Sequence, residues 1–200
     1  MYSDDEGRLA VKIARDAVER FVKGMARKDY EGPESFRRPA GTFVTLNTYP
    51  DGMLRGCIGY PQPIFSLIES LVRSAEAACE DPRFMYPLAE SELPSITVEV
   101  SLLTPPERVR VSRPEEYLDR IEVGRHGLIA TLGPNRGLLL PQVPVEQGWD
   151  PRTFLEQTCV KAGLRPDAWK KRGFELQRFE GDVFTEVEPY GDIVRKELGR

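Results

Sequence analysis

One histidine in 200 residues, and three cysteines at positions 57, 79 and 159, leave little for imidazole or thiolate chemistry. The wide, irregular cysteine spacing forms neither a disulfide framework nor a local zinc knuckle. A three-ligand transition-metal site would have to draw on distant segments with carboxylate help, so no metal is expected. The chain also lacks a Walker glycine-lysine loop, a dinucleotide glycine fingerprint, an HExxH pair and a GxSxG elbow. The common cofactor and hydrolase classes lose weight accordingly, and no cofactor is expected. Basic excess is missing as well. A net charge of −4 and a pI near 5.3 argue against a protein whose main task is to hold nucleic acid or an anionic membrane. The one compact basic run, Lys170-Lys171-Arg172 beside Trp169, reads as a solvated face. No stretch approaches membrane-spanning length, and Asp4, Asp5 and Glu6 stand where a signal peptide would need a basic start. A reducing cytoplasm is the expected compartment, with a small molecule or another protein as partner and no membrane.

What is present is ordinary globular material: 40% hydrophobic and 30% charged residues, enough for one substantial core. A single domain over residues 1–200 is expected, with its core in about 5–190 and a weakly ordered tail over 191–200. Ser3 and Glu6 stand at capping-box spacing ahead of a helical stripe that includes Leu9, Ala10, Ile13, Ala14, Ala17 and Val18. Residues 42–47 alternate like a strand, Pro50-Asp51-Gly52 turns the chain, and residues 54–59 return as the second strand of a hairpin. Pro63 is placed to start a helix whose apolar face ends near Cys79, closed by Asp81-Pro82. Residues 96–102 read as a strand. Residues 121–123 and 128–130 bracket Gly124-Arg125-His126-Gly127 as a further hairpin. A short strand over 137–140 precedes a helix with Asp150 as N-cap, Pro151 at its first position and Gly163 past its end. Mixed elements with hairpin-like connections indicate an α+β fold, largely antiparallel, with flanking helices.

Cys57 is the leading candidate for chemistry because it lies between Gly56 and Gly59, where missing side chains would let a ligand reach the backbone and the sulfur. Strand alternation puts Arg55 on the same face, roughly 7 Å along, where a guanidinium would favour the thiolate modestly. The competing reading is a small apolar residue in a core. His126 would have to supply any imidazole chemistry, although its turn setting reads more simply as an exposed loop. Glu99 shares a strand face with Thr97 and Ser101, either as the polar wall of a cleft or as a solvated outer face. Arg83 could present a cation to a carboxylate or phosphate, or form a helix-terminal salt bridge. Gln142 and Glu146 are further cleft candidates. Cys79 and Cys159 fall on apolar stripes and read as core.

Four segments taken together resemble the AMME chromosomal region candidate-gene family. They are Leu54-Arg55-Gly56-Cys57-Ile58-Gly59, Asp81-Pro82-Arg83-Phe84, the run over residues 98–106, and Gly137-Leu138-Leu139-Leu140-Pro141-Gln142-Val143-Pro144-Val145-Glu146. Gly148-Trp149-Asp150 and Lys161-Ala162-Gly163-Leu164 continue the similarity, which runs from about residue 5 to residue 190. The resemblance implies a compact α+β domain of two subdomains. It also implies that the hexapeptide over 54–59, with Leu54, Gly56, Ile58 and Gly59 as ligand-contacting neighbours of Cys57, is the family's signature and suspected functional site. Association of prokaryotic relatives with Memo-like and radical-enzyme proteins suggests partners of that kind. Two functions follow as expectations: a small-molecule enzyme using Cys57, with Arg55 orienting an anion and Glu99 handling protons, or a non-catalytic module that binds a protein or ligand. Substrate and oligomeric state are not fixed by the sequence.

Overall fold

The computed structural model describes residues 2–197. In chain order its main elements are α1 (Asp4–Val22), α2 (Glu34–Arg37), β1 (Gly41–Thr48), β2 (Leu54–Tyr60), α3 (Leu67–Cys79), β3 (Ile96–Leu103), β4 (Glu107–Arg108), β5 (His126–Leu132), β6 (Asn135–Leu139), α4 (Gln142–Glu146), α5 (Pro151–Lys161), β7 (Glu175–Glu186) and β8 (Ile193–Lys196). They divide into two compact units, one formed by residues 2–105 and 182–196, the other by residues 106–181.

In the first unit β2, β1, β3 and the end of β7 follow one another, with β8 antiparallel to β7 from Val183↔Lys196 to Glu186↔Ile193. β1 is antiparallel to both its neighbours. Helices α1 and α3 pack on this sheet. The capping box that starts α1 is formed as the spacing predicts: the Ser3 hydroxyl accepts the Glu6 amide at 3.2 Å and the Glu6 carboxylate accepts the Ser3 amide at 2.8 Å. Ala10, Val11, Ala14 and Val18 on its inner stripe are fully buried against Val44, Leu46, Leu71, Val98 and Val100. Phe36 of α2 joins that core. Helix α3 begins later than Pro63, at Leu67, because the Ser66 hydroxyl accepts the Glu69 amide and caps the helix there. Arg15 and Glu186 form a buried, bidentate ion pair. Arg15 also donates to the Ile96 carbonyl at 2.7 Å and Glu186 accepts the Val98 amide at 2.9 Å, which joins α1, β3 and β7.

The stretch expected to be a weakly ordered tail carries β8 instead, fixed by Arg195, whose guanidinium donates to Asp4, Asp182 and the Tyr2 carbonyl. Residues 198–200 of that stretch lie outside the described residues.

In the second unit β6, β5 and the first part of β7 form an antiparallel ladder, and β4 adds to β7. The hairpin differs from expectation. It joins β5 to β6 through Gly133, at φ +59°, whereas residues 121–125 form a tight turn in which the Glu122 carbonyl accepts the amides of Arg125 and His126. Gly124 at φ +85° supplies a turn of the preceding loop rather than the corner of a hairpin. Helix α5 starts as predicted, with the Asp150 carboxylate accepting the Thr153 amide at 2.8 Å, and Gly163 follows it at φ +73°. Phe154, Leu155, Cys159, Trp169 and Leu176 make its core. The fold class is α+β with antiparallel pairing and flanking helices. Among the described residues no helix is long and apolar enough to cross a membrane.

Candidate functional site

Strand β2 ends the order of the first unit's sheet, so one edge of it has no strand beside it. The chain covers that edge with the segment that follows α3. The Asp81 carboxylate accepts the backbone amide of Cys57 at 2.8 Å, and the Arg83 guanidinium donates to the Cys57 carbonyl at 3.0 Å. These two bonds stand in for the pair that a neighbouring strand would make. Asp81 and Arg83 are themselves joined, Nη2 to Oδ2 at 2.6 Å and Nε to Oδ1 at 3.0 Å, and the Asp81 side chain is fully buried. The Arg83 hydrogen bonds, reinforced by the Cys57 amide, hold the Asp81 carboxyl down at about 2. Of the two roles open to Arg83 in the sequence, the salt bridge at the helix end is the one present.

Arg55 is equally committed. Its Nε donates to Glu92 at 2.7 Å, its Nη2 reaches the second Glu92 oxygen at 3.1 Å and the carbonyls of Tyr86 and Pro87 at 3.2 and 3.1 Å, and the guanidinium lies over the Phe84 ring. Glu92 in turn accepts the Ala89 amide at 2.8 Å, and its carboxyl is lowered chiefly by the Arg55 hydrogen bonds. Arg55 therefore fastens the 84–92 segment to β2.

The glycines of the hexapeptide admit the protein's own backbone. A methyl group at Gly56 would overlap the Ala78 carbonyl oxygen at the end of α3, and one at Gly59 would overlap the Thr42 carbonyl and the Phe43 ring. Ile58 packs against the core and Leu54 is exposed. Cys57 itself is half-buried, unlike Cys79 and Cys159, whose burial pushes their thiols up to about 12 and about 11. Its sulfur accepts a hydrogen bond from the Thr45 hydroxyl at 3.2 Å.

Thr45 faces Cys57 across β1·β2 and Glu99 across β1·β3, so the three residues form one row across the strands. Cys57 and Glu99 are two inter-strand spacings apart, roughly 10 Å. Glu99 is 8% exposed, as are its strand neighbour Thr97 and, at 3%, Ser101, which removes the solvated-face reading. Its carboxylate accepts from Lys196 at 3.1 Å.

The remaining candidates belong to the second unit. His126 is buried at the start of β5, against its expectation as an exposed loop residue. Its Nδ1 accepts the Glu122 amide at 2.9 Å, and burial, helped by Arg178 and Arg125, lowers its pKa below the ordinary imidazole value. The Nδ1 bond closes the turn that precedes β5. Gln142 opens α4, with its Oε1 buried and without a hydrogen-bond partner among the described residues, and Glu146 ends the same helix exposed. Sequence reasoning missed Asp81, Glu92 and Thr45. The Asp81-Pro82 pair reads locally as a helix stop, and nothing in its own segment shows that it serves Cys57, 24 positions earlier. Among the described residues no group of three or more histidine, cysteine, aspartate or glutamate side chains is arranged to hold a metal ion.

The AMME family resemblance is matched by a full-length comparison. The family model described as AMMECR1 matches residues 11–184. Protein MJ0810 of Methanocaldococcus jannaschii is 51% identical over 97% of this chain and 96% of its own length. Protein MK0488 of Methanopyrus kandleri is 47% identical over 97% and 95%. The crystal structure of the uncharacterized protein PH0010 from Pyrococcus horikoshii superposes with a TM-score of 0.89 at 43% identity, covering 98% of each chain.

Proposed function

The chain belongs to the AMMECR1 family, and from that premise we propose that it is a small-molecule enzyme whose nucleophile is the Cys57 thiol. The observation that carries this reading is the Thr45 hydroxyl donating to the Cys57 sulfur. The hydroxyl donor holds the sulfur in one orientation on the row it shares with Thr45 and Glu99. The Asp81–Arg83 clip on the Cys57 backbone supports the reading by fixing the position of the sulfur without occupying it. Glu99, which lies on the same row as Cys57 and pairs with Lys196, is the residue assigned to proton handling. Arg55 acts as a positioning residue through the 84–92 segment, to which its Nε and Nη2 donors are bound.

The test compares Cys57→Ser, Cys57→Ala and Thr45→Val with the parent, both in a complementation assay of a strain lacking the gene and in alkylation kinetics of the purified protein. Thr45→Val should slow alkylation at Cys57 several-fold with the fold intact. Full complementation by both Cys57 variants would remove the central residue.

A non-catalytic binding module is the second reading. It is favoured by the commitment of both arginines to internal partners, which leaves a rigid surface with few free catalytic groups. Partners of the Memo-like or radical-enzyme kind belong to this reading, by association alone. Loss of a co-purifying partner on Arg55→Ala but not on Cys57→Ser would select it over catalysis.

A further inference from the structure

The segments that brace β2 also hold out large apolar side chains that none of the described residues covers. Tyr49, Met53 and Leu54 at the β1–β2 turn are 42, 64 and 41% exposed, and Met85 and Tyr86 on the facing loop are 85 and 72% exposed. Their backbones are tied together. Thr48 donates to the Met53 carbonyl at 2.8 Å, Tyr49 to the Ser95 carbonyl at 2.8 Å, and Arg55 to the carbonyls of Tyr86 and Pro87. Large side chains held out on a fixed backbone, with no partner of their own, lose little entropy on binding and are the residue types enriched at the centres of interfaces. Exposed apolar side chains grouped on linked segments mark an interaction surface.

Charge selects the occupant. Residues 48–60 and 80–95 hold five carboxylates against two arginines, and both arginines are paired internally. Glu80 and Glu90 are exposed, and among the described residues neither forms an ion pair; Asp51 bonds only to the nearby Thr48 hydroxyl. An acidic rim repels an anionic bilayer and nucleic acid, and a second copy of this chain would bring the same rim against itself. It attracts a cationic one. We propose that this surface docks a segment of a partner protein in which aliphatic or aromatic side chains are flanked by lysine or arginine. The surface is independent of the thiol, and removing it leaves Cys57 and its clip in place.

Two synthetic peptides test this, one with a Phe-Leu core flanked by lysines and one with the same core flanked by glutamates, each titrated into the ¹⁵N-labelled full chain. The lysine peptide should shift the amides of residues 48–54 and 84–92, bind more weakly as salt rises, and lose at least tenfold in affinity against the double variant Met53→Ser/Tyr86→Ser. That variant should keep the parent's thermal midpoint and its Cys57 alkylation rate. Equal binding of both peptides, binding of neither, or shifts that fall elsewhere would overturn the proposal. So would a concentration-dependent dimer abolished by the double variant, since that result hands the face to a second copy.

Discussion

The Asp81 carboxylate accepts the backbone amide of Cys57 at 2.8 Å from a fully buried position, and its partner Arg83 returns a hydrogen bond to the carbonyl of the same residue. One side-chain pair thus replaces a missing strand at a single point on the sheet edge. An open edge invites pairing with other chains, and this device blunts it at the residue whose side chain is the candidate nucleophile. Stability and site geometry are therefore coupled through Asp81.

Asp81→Ala should cost about 2–4 kcal/mol, because it leaves the Cys57 amide and Arg83 without their acceptor. Asp81→Asn, which keeps one acceptor, should cost less. Denaturant unfolding of the two variants gives the comparison, and equal losses would mean that the carboxylate charge is what matters. The pH dependence has a definite sign. The folded carboxyl sits at about 2, below the ~3.9 of an unfolded aspartate, so its contribution is complete above pH ~4 and is lost as pH falls towards 2. Asp81→Asn should remove that acid limb.

Gly56→Ala should destabilise by about 2–3 kcal/mol, since the added methyl overlaps a backbone carbonyl of α3 that cannot move without shifting the helix. Gly52→Ala is the control. Gly52 has open space around it but sits at φ +67°, so the cost there is conformational, about 1 kcal/mol. Thermal melts that rank the two in the opposite order would contradict the close packing of β2 on α3.

His126 links pH to the second unit. Its pKa is lowered on folding, so the unfolded chain binds the proton more readily and the neutral form's contribution is complete above the unfolded value near 6.5. It fades as pH falls through the lower folded value. His126→Gln should flatten the change in unfolding free energy between about pH 7.5 and pH 5, while the parent loses stability over that range.

Alkylation should separate the three thiols. Cys79 and Cys159 are buried, with thiols pushed up to about 12 and about 11, so neither offers thiolate near neutral pH. Cys57 should react alone in the folded protein, as read by mass spectrometry after a small iodoacetamide dose, and all three should react in denaturant. Protection of Cys57 equal to that of the other two would end its candidacy.

Local signals in the sequence carried the helices and the central strands. Ser3 with Glu6 and Asp150 with Pro151 each place a helix start correctly, because a cap is satisfied within a few residues of itself. Alternation over 42–47 and 96–102 finds β1 and β3, whose inner residues are buried. What failed was tertiary in origin. His126 sits in a glycine-flanked turn by sequence, yet the ladder to β7 buries it. β8 reads as a polar tail, and only its pairing with β7 and the reach of Arg195 to Asp4, 191 positions away, make it a strand. The site divides in the same way. Alternation predicts that Arg55 and Cys57 share a face, but the register shift at Leu46/Asn47 leaves Arg55 as the extra residue of a bulge, so Leu54 and not Arg55 lies on the Cys57 face. The partners of Arg55 and Cys57, Glu92 and Asp81, lie 37 and 24 residues on, in a segment with no periodic pattern.

That separation makes the role of Arg55 testable. If Arg55 holds the 84–92 segment rather than a ligand, Arg55→Ala and Glu92→Ala should act as one lesion. Each single variant should raise amide exchange over residues 84–92, and the double variant should add little, with a coupling of about 1 kcal/mol for a half-buried, bidentate pair. An anion-binding arginine predicts otherwise. Its loss would leave exchange in that segment unchanged while weakening the binding of a carboxylate or phosphate, and Glu92→Ala, by freeing the guanidinium, would strengthen such binding. Hydrogen exchange of the four proteins of the cycle therefore distinguishes a positioning arginine from a recognising one without knowledge of the substrate.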